Sequence, residues 1–318
     1  MSSFPLPELP PYLTLLLTGI LSPPCPLHLA LAHLASQPGA THGRSRVLIV
    51  TARSQDTFER KLRAYDDAWL NENSLKGRWA PLLACIEIFY SKTPVELRQV
   101  LSLLRPSSLL NSQLPGAPSK AVLDVIPSLV ILHDLSAWFI GEMRKPSHAL
   151  SNYLELVSMG LDFARYLNQL QEGAEPTRLA LIDGKLCDLC LPVVGQTPEK
   201  ADATKTASDD APHDVEQMKQ KLEPLLPVIS KYFDWVGCVE KCSVPSPSAA
   251  EEDYPSHPQL SMRRLKLHRS TSLSGLSTKL PEEHTFQWKE DRPLLGEFSE
   301  LKATTITHLD GEEGKPCC

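Results

Sequence analysis

Five short apolar runs punctuate the first part of the chain: residues 12–17 (YLTLLL), 46–51 (RVLIVT), 85–90 (CIEIFY), 128–136 (SLVILHDLS) and 178–194 (RLALIDGKLCDLCLPVV). Between them lie stretches whose apolar residues recur at helical spacing. The run at 85–90 alternates like a strand, and strand–helix alternation through this part of the chain puts helices on both faces of the sheet. Alternation of this kind predicts an α/β fold with a mainly parallel sheet. The first run leads into a helix over residues 27–36. Residues 57–70 read as one helix, and a long helix covers about 150–171. Residues 93–104 (TPVELRQVLSLL) carry a start signal: Thr93 as N-cap, Pro94 at the first helical position and Glu96 completing a capping box. Asp183-Gly184 reads as a turn joining two strands.

Composition fits one substantial core. Among 318 residues, 42% are hydrophobic and 22% charged, and the net charge is −6. That balance argues against a generally basic nucleic-acid binder while leaving room for a local basic patch. The first apolar run follows Pro5, Pro7, Glu8, Pro10 and Pro11 and is broken by Pro23-Pro24. It is short of the ~20 residues of a membrane helix and lacks a basic leader, so the expectation is a soluble, intracellular protein with free thiols. Composition divides the chain into a core (1–194), a disordered insert rich in Thr, Ala, Asp and Lys (195–220) and a core extension (221–242). A linker (243–260), a hairpin closing the sheet edge (261–295) and a disordered tail (296–318) follow.

The segment after the first strand bears on chemistry. Thr18-Gly19 precedes Ile-Leu-Ser-Pro-Pro-Cys-Pro and then a helix. In a P-loop this connection is Gly-rich and ends in Lys-Ser/Thr, its N–H groups cradling phosphates. Counting from Gly19, Pro24 stands at the second Gly, Cys25 at the Lys and Pro26 at the Ser/Thr. Proline has no N–H to offer. Asp134 ends the apolar strand at 129–133, where a carboxylate would hold Mg²⁺ through water, or would cap the next segment. Arg53 follows the second strand where a water-activating Glu would stand, and it cannot act as a base. The reading is a nucleotide site whose chemistry is gone, with no cofactor expected and ATP deprived of its cradle.

Other constellations are weaker. Cys187, Cys190, Cys238 and Cys242 could supply four thiolates to zinc, but three-residue spacing in a strand points Cys187 and Cys190 to opposite faces, so no metal is expected. Cys317-Cys318 resembles a prenylated ending without the motifs that would accompany it. The dense basic run is Arg263, Arg264, Lys266, His268 and Arg269. As a strand it puts Arg264, Lys266 and His268 on one face, with Arg263 and Arg269 flanking, a stripe suited to the phosphates of DNA or a solvated edge strand. Ser270-Thr271-Ser272 beside it could be phosphorylated and switch the patch off.

Taken in order, YLTLLLTG, VLIVTARS, IEIFYSKTPVELRQVLSLL, SLVILHDLSAWF, the long helix and RLALIDGK resemble RecA-type recombinase paralogues, most closely the small Shu-complex subunits that partner a SWIM-domain zinc protein. The resemblance covers residues 12–185 and continues at LPVISKYFDW and TFQWKED. It implies a RecA-like core and a nuclear location; members with an intact P-loop exist, so the departures at Gly19–Pro26 and Arg53 are what make the nucleotide site of this chain degenerate. It also implies a non-catalytic role in homologous-recombination DNA repair, supporting recombinase filaments on single-stranded DNA. The implied partners are the SWIM protein and a RecA-type recombinase, since the SWIM pattern of Cys and His is absent from this chain. Two alternatives share the architecture: an Elongator-type RecA-fold subunit serving tRNA modification, and an ATPase with an aberrant P-loop.

Overall fold

The computed structural model describes residues 9–37, 45–106, 122–140, 146–171, 175–192, 222–242, 261–270, 282–290 and 307–309. Strand β1 (Thr14–Gly19) leads into α1 (Cys25–Ser36). Strand β2 (Val47–Thr51) leads into α2 (Gln55–Tyr65), α3 (Ala68–Asn73) and α4 (Trp79–Leu83), and β3 (Ile86–Tyr90) into α5 (Pro94–Leu103). The two-residue strands β4 (Arg105–Pro106) and β5 (Val122–Leu123) pair with each other. Next come β6 (Leu129–His133), a 3-10 turn (Leu135–Trp138), the long helix α6 (Pro146–Gln169) and β7 (Arg178–Asp183). After β8 (Cys190–Pro192), β9 (Leu222–Pro224) and the one-turn helix α7 (Leu226–Ile229), the chain finishes with β10 (Trp235–Cys242), β11 (Ser261–Arg269), β12 (Glu283–Glu290) and β13 (Thr307–Leu309).

One mixed sheet runs in the order β13-β12-β11-β10-β1-β7-β6-β2-β3. Its strands are parallel from β10 to β3, and β11, β12 and β13 join antiparallel. The period of two sorts side chains between two cores. Leu15, Leu17, Ile49 and Ile131 pack with α1 and α4 on one side. Leu16, Leu48, Val50, Val130 and Leu132 pack with α5 and α6 on the other. The α/β class with a mainly parallel, two-faced sheet therefore stands as the strand runs implied. Among the described residues no helix is long and apolar enough to cross a membrane.

Local chemistry departs from the sequence reading in four places. Residues 57–70 are not one helix. Asp66 closes α2 in the left-handed conformation (φ 51°), and Asp67 opens α3 by accepting the Leu70 N–H at 2.8 Å. The other Asp67 oxygen meets His28 Nε2 of α1 at 2.9 Å, so the break lets α3 fold back against α1, where Trp69 meets the His28 ring edge-on. Second, Asp183-Gly184 makes no hairpin. The Asp183 side chain is drawn inward, Leu186 and Leu189 enter the core, and β8 pairs with β9 instead of β7. Third, the capping box at α5 is offset: Thr93 accepts from the Glu96 N–H at 3.2 Å, but Glu96 reaches back to the Lys92 N–H at 2.6 Å. Fourth, the stretch read as a disordered tail contributes β13, which satisfies backbone groups that β12 would otherwise leave open at the edge. The insert at 195–220 and the linker at 243–260 lie outside the described residues.

Candidate functional site

The carboxyl ends of the parallel strands converge where helices leave for opposite faces. β1 and β2 send their chains toward the α1 side, β6 and β7 toward the α6 side. Such a point is where open α/β sheets bind ligands. A pocket of ≈ 320 Å³ lies there. Its walls are Gly19 to Pro23 after β1, Arg53, Phe58 and Lys61 after β2, His133 and Asp134 at the end of β6, and Gly184 and Lys185 after β7.

The loop after β1 shows why the phosphate cradle is missing. Gly19 has φ +91°, and a Cβ there would sit 2.3 Å from the Val239 carbonyl oxygen of β10. Its glycine requirement comes from this close passage of two backbones. The Ile20 N–H donates to that same carbonyl at 2.8 Å, the Leu21 N–H to Gly19 at 2.9 Å and the Cys25 N–H to Ser22 at 3.0 Å. Pro23, Pro24 and Pro26 have no N–H, so most of the donors that would face a phosphate are absent or spent within the protein. Pro24, Cys25 and Pro26 do not line the pocket: Cys25 and Pro26 are buried in the first turn of α1, and Pro24 caps it with no side-chain bond. Burial pushes the Cys25 thiol up to about 12, against the opposing pull of Arg263, so it packs as a neutral side chain.

Asp134 adopts the left-handed conformation (φ 61°) and makes no side-chain cap to the turn that follows it. Its carboxylate is engaged elsewhere: Arg53 Nε donates to Oδ2 at 2.5 Å and Lys61 Nζ lies 3.9 Å from the same oxygen. Burial alone would raise this acid, but neighbouring His133, Arg53 and Lys61 outweigh it and hold Asp134 below the ordinary carboxylate range. The Arg53 guanidinium thus occupies one side of the carboxylate that a metal-bound water would use. His133 shares a hydrogen bond of 3.0 Å with the Thr51 hydroxyl and packs edge-on to Phe58. Burial, aided by Arg53 and Lys61, depresses it to about 4, so it is neutral near pH 7.

Behind the pocket, buried Asp183 accepts the Ser136 N–H at 2.8 Å, the Ser136 hydroxyl, the Tyr153 hydroxyl at 2.9 Å and the Lys185 N–H at 3.2 Å. Desolvation nonetheless raises it to about 6. This network ties β6, α6 and the turn after β7 together and fixes the pocket floor.

The basic strand is β11, next to the loop after β1. Arg263 faces away from the stripe: its side chain is buried, and its guanidinium donates to the Ile20 carbonyl. Arg264, Lys266 and His268 do share the opposite face. Each meets a partner there: Gln287 beside Arg264, Glu240 at 3.3 Å from Lys266 and Glu283 across from His268. Arg269 lies 3.4 Å from Glu282. Lys266 and Arg269 thus have acidic neighbours in their own sheet, whereas Arg264 faces an uncharged amide.

The cysteines Cys187, Cys190, Cys238 and Cys242 are free thiols, and Cys187 Sγ lies 3.5 Å from the Thr18 hydroxyl. Among the described residues no three His, Cys, Asp or Glu side chains come together as a metal site. Thr271, Ser272, Cys317 and Cys318 lie outside the described residues. The sequence reading missed Lys61 and Lys185. Lys185 stands two residues beyond the end of a parallel strand, the same offset as Arg53, and position at a strand's carboxyl end is the signal that could have found it. No protein-family model matches the chain, and no curated protein is significantly similar to it.

Proposed function

We propose that the chain is a non-catalytic RecA-fold subunit of a homologous-recombination DNA-repair complex, acting in the nucleus. In this reading it supports recombinase filament assembly on single-stranded DNA together with a SWIM-domain zinc protein. The observation that carries the reading is the loop after β1. It stands at the ligand-binding end of a central parallel strand, yet most of its N–H groups are bonded within the protein or replaced by proline. The mainly parallel sheet with an antiparallel edge supports the RecA-type part of the reading. Arg53 on Asp134 supports the loss of hydrolysis, because a fixed cation stands where a water-activating base would and pairs with the carboxylate that would hold the metal.

Protein contacts carry this role better than the basic strand, where Arg263 is buried and Lys266 and Arg269 lie beside Glu240 and Glu282. The test is affinity purification of the tagged full chain with identification of co-purifying proteins. A SWIM-domain protein together with a RecA-type recombinase is the expected result. Elongator subunits in their place would overturn the recombination reading, and steady ATP turnover by the purified chain would overturn its non-catalytic part.

A further inference from the structure

We propose that the pocket at the carboxyl ends of β1, β2, β6 and β7 binds a phosphate-chain anion without a divalent cation, held by Lys61 and Lys185 around the Arg53–Asp134 pair. The inference goes beyond the recombination reading and rests on the pocket's own geometry. Arg53, Lys61 and Lys185 line the cavity against the carboxylate of Asp134, which leaves two positive charges in excess on its walls; where Asp183 behind the floor is ionised it offsets one of them, and one remains. His133 adds none while it is neutral. A concave site with surplus charge and partly apolar walls concentrates anions, because field lines are focused where little water can screen them.

The charges are not satisfied by one another. Lys61 is pushed below its ordinary range, first by burial and then by Arg53 and Lys185, with Asp134 offsetting only part of this. Its ammonium lies 3.9 Å from Asp134, beyond a close hydrogen bond, and keeps donors to spare. Arg53 sits where a metal would have to approach Asp134, and its charge is permanent at any physiological pH. A divalent cation would have to displace it and add to an already positive pocket. A phosphate chain needs no such help, since the guanidinium and two ammonium groups supply the counter-charge themselves. The volume of ≈ 320 Å³ is at the low end for ligand pockets and suits a phosphate chain better than a large apolar ligand. These cations arrive from the connection after β2, from α2 and from the turn after β7, not from the loop after β1.

The test is calorimetry on the full chain with inorganic pyrophosphate and with ATP, each in EDTA and in excess Mg²⁺. One-to-one binding in EDTA is expected for both anions, with no gain on adding Mg²⁺. Equal affinities would mean that the phosphate chain alone is recognised, and tighter ATP that the rest of the nucleotide also touches the walls. Lys61→Met and Lys185→Met should each weaken binding about tenfold and the double variant about a hundredfold. Circular dichroism checks that these variants fold, which the solvent-facing ends of both side chains favour. Arg53→Ser frees Asp134 and should make the remaining binding depend on Mg²⁺. No binding of either anion at millimolar concentration, an unchanged double variant, or a wild-type requirement for Mg²⁺ would each overturn the proposal.

Discussion

Replacing Gly19 by Ala separates a glycine kept for a phosphate from one kept for a neighbouring strand. At φ +91° an added methyl enters a left-handed conformation, which costs about 1–2 kcal/mol. It would also lie 2.3 Å from the Val239 carbonyl oxygen and 3.0 Å from the Val239 nitrogen. Those atoms are backbone, and β10 is held between β1 and β11, so it cannot rotate away as a side chain would. Relief requires β1 and β10 to part at this end, which strains or breaks the 2.8 Å bond from the Ile20 N–H to Val239. Leaving such a group poorly satisfied costs about 1–3 kcal/mol more. The expected loss is about 3 kcal/mol, or about 1 M in the urea midpoint for an m value near 3 kcal/mol/M. Gly77 is the internal control: its φ is +48° and an added Cβ meets nothing within 4 Å, so Gly77→Ala should cost only the conformational part, about 1 kcal/mol. Urea unfolding followed by far-UV circular dichroism measures both. Equal losses in the two variants would refute the close-approach argument.

Two further outcomes follow from the buried groups. Asp183 is raised by burial from 3.8 to about 6, so the stability linked to its protonation is complete below about pH 4 and is lost as pH rises through about 6. Asp183→Asn should flatten the fall in unfolding free energy across that window, and an unchanged slope would remove Asp183 as its source. Arg263→Ala should cost about 2–3 kcal/mol, because it removes a charged donor from the Ile20 carbonyl and empties a buried site, whereas Arg264→Ala on the opposite face should cost under about 1 kcal/mol. Thermal unfolding of the pair decides it, and a larger loss for Arg264→Ala would reverse the assignment of the two faces.

The parallel sheet was legible because β1, β2, β3, β6 and β7 each announce themselves within six residues or so of mostly apolar sequence. Helix α5 was equally plain, since Thr93 and Pro94 act on their immediate neighbours. What escaped was decided at a distance. Asp66 and Asp67 read as polar residues within a helix until His28, far back in the chain, gives Asp67 a partner and makes a break worthwhile. Asp183-Gly184 has the letters of a turn, but the Ser136 and Tyr153 donors that claim the Asp side chain are remote in sequence. The same holds for the site. Gly19 and Asp134 could be singled out from local pattern, yet the meeting of Arg53 with Asp134 spans 81 positions and only the fold reveals it. Arg263 looked like one more cation in a basic run, although the period of two sets it with Leu265 and Leu267 on the apolar face; what could not be read is that the loop after β1 gives its guanidinium a carbonyl there.

The place of β1 between β7 and β10 also sets an order of events. During synthesis β1 emerges first, but its second flank stays open until residue 242 has been made. For that interval a strand destined for the middle of the sheet is an edge, with its backbone groups free to pair with any other extended chain. Contacts of such long sequence separation form slowly, because loop closure must precede their reward. A nascent chain halted before β10 would therefore expose the middle of its own sheet, and its survival would rest on chaperones holding that edge until the closing strand arrives.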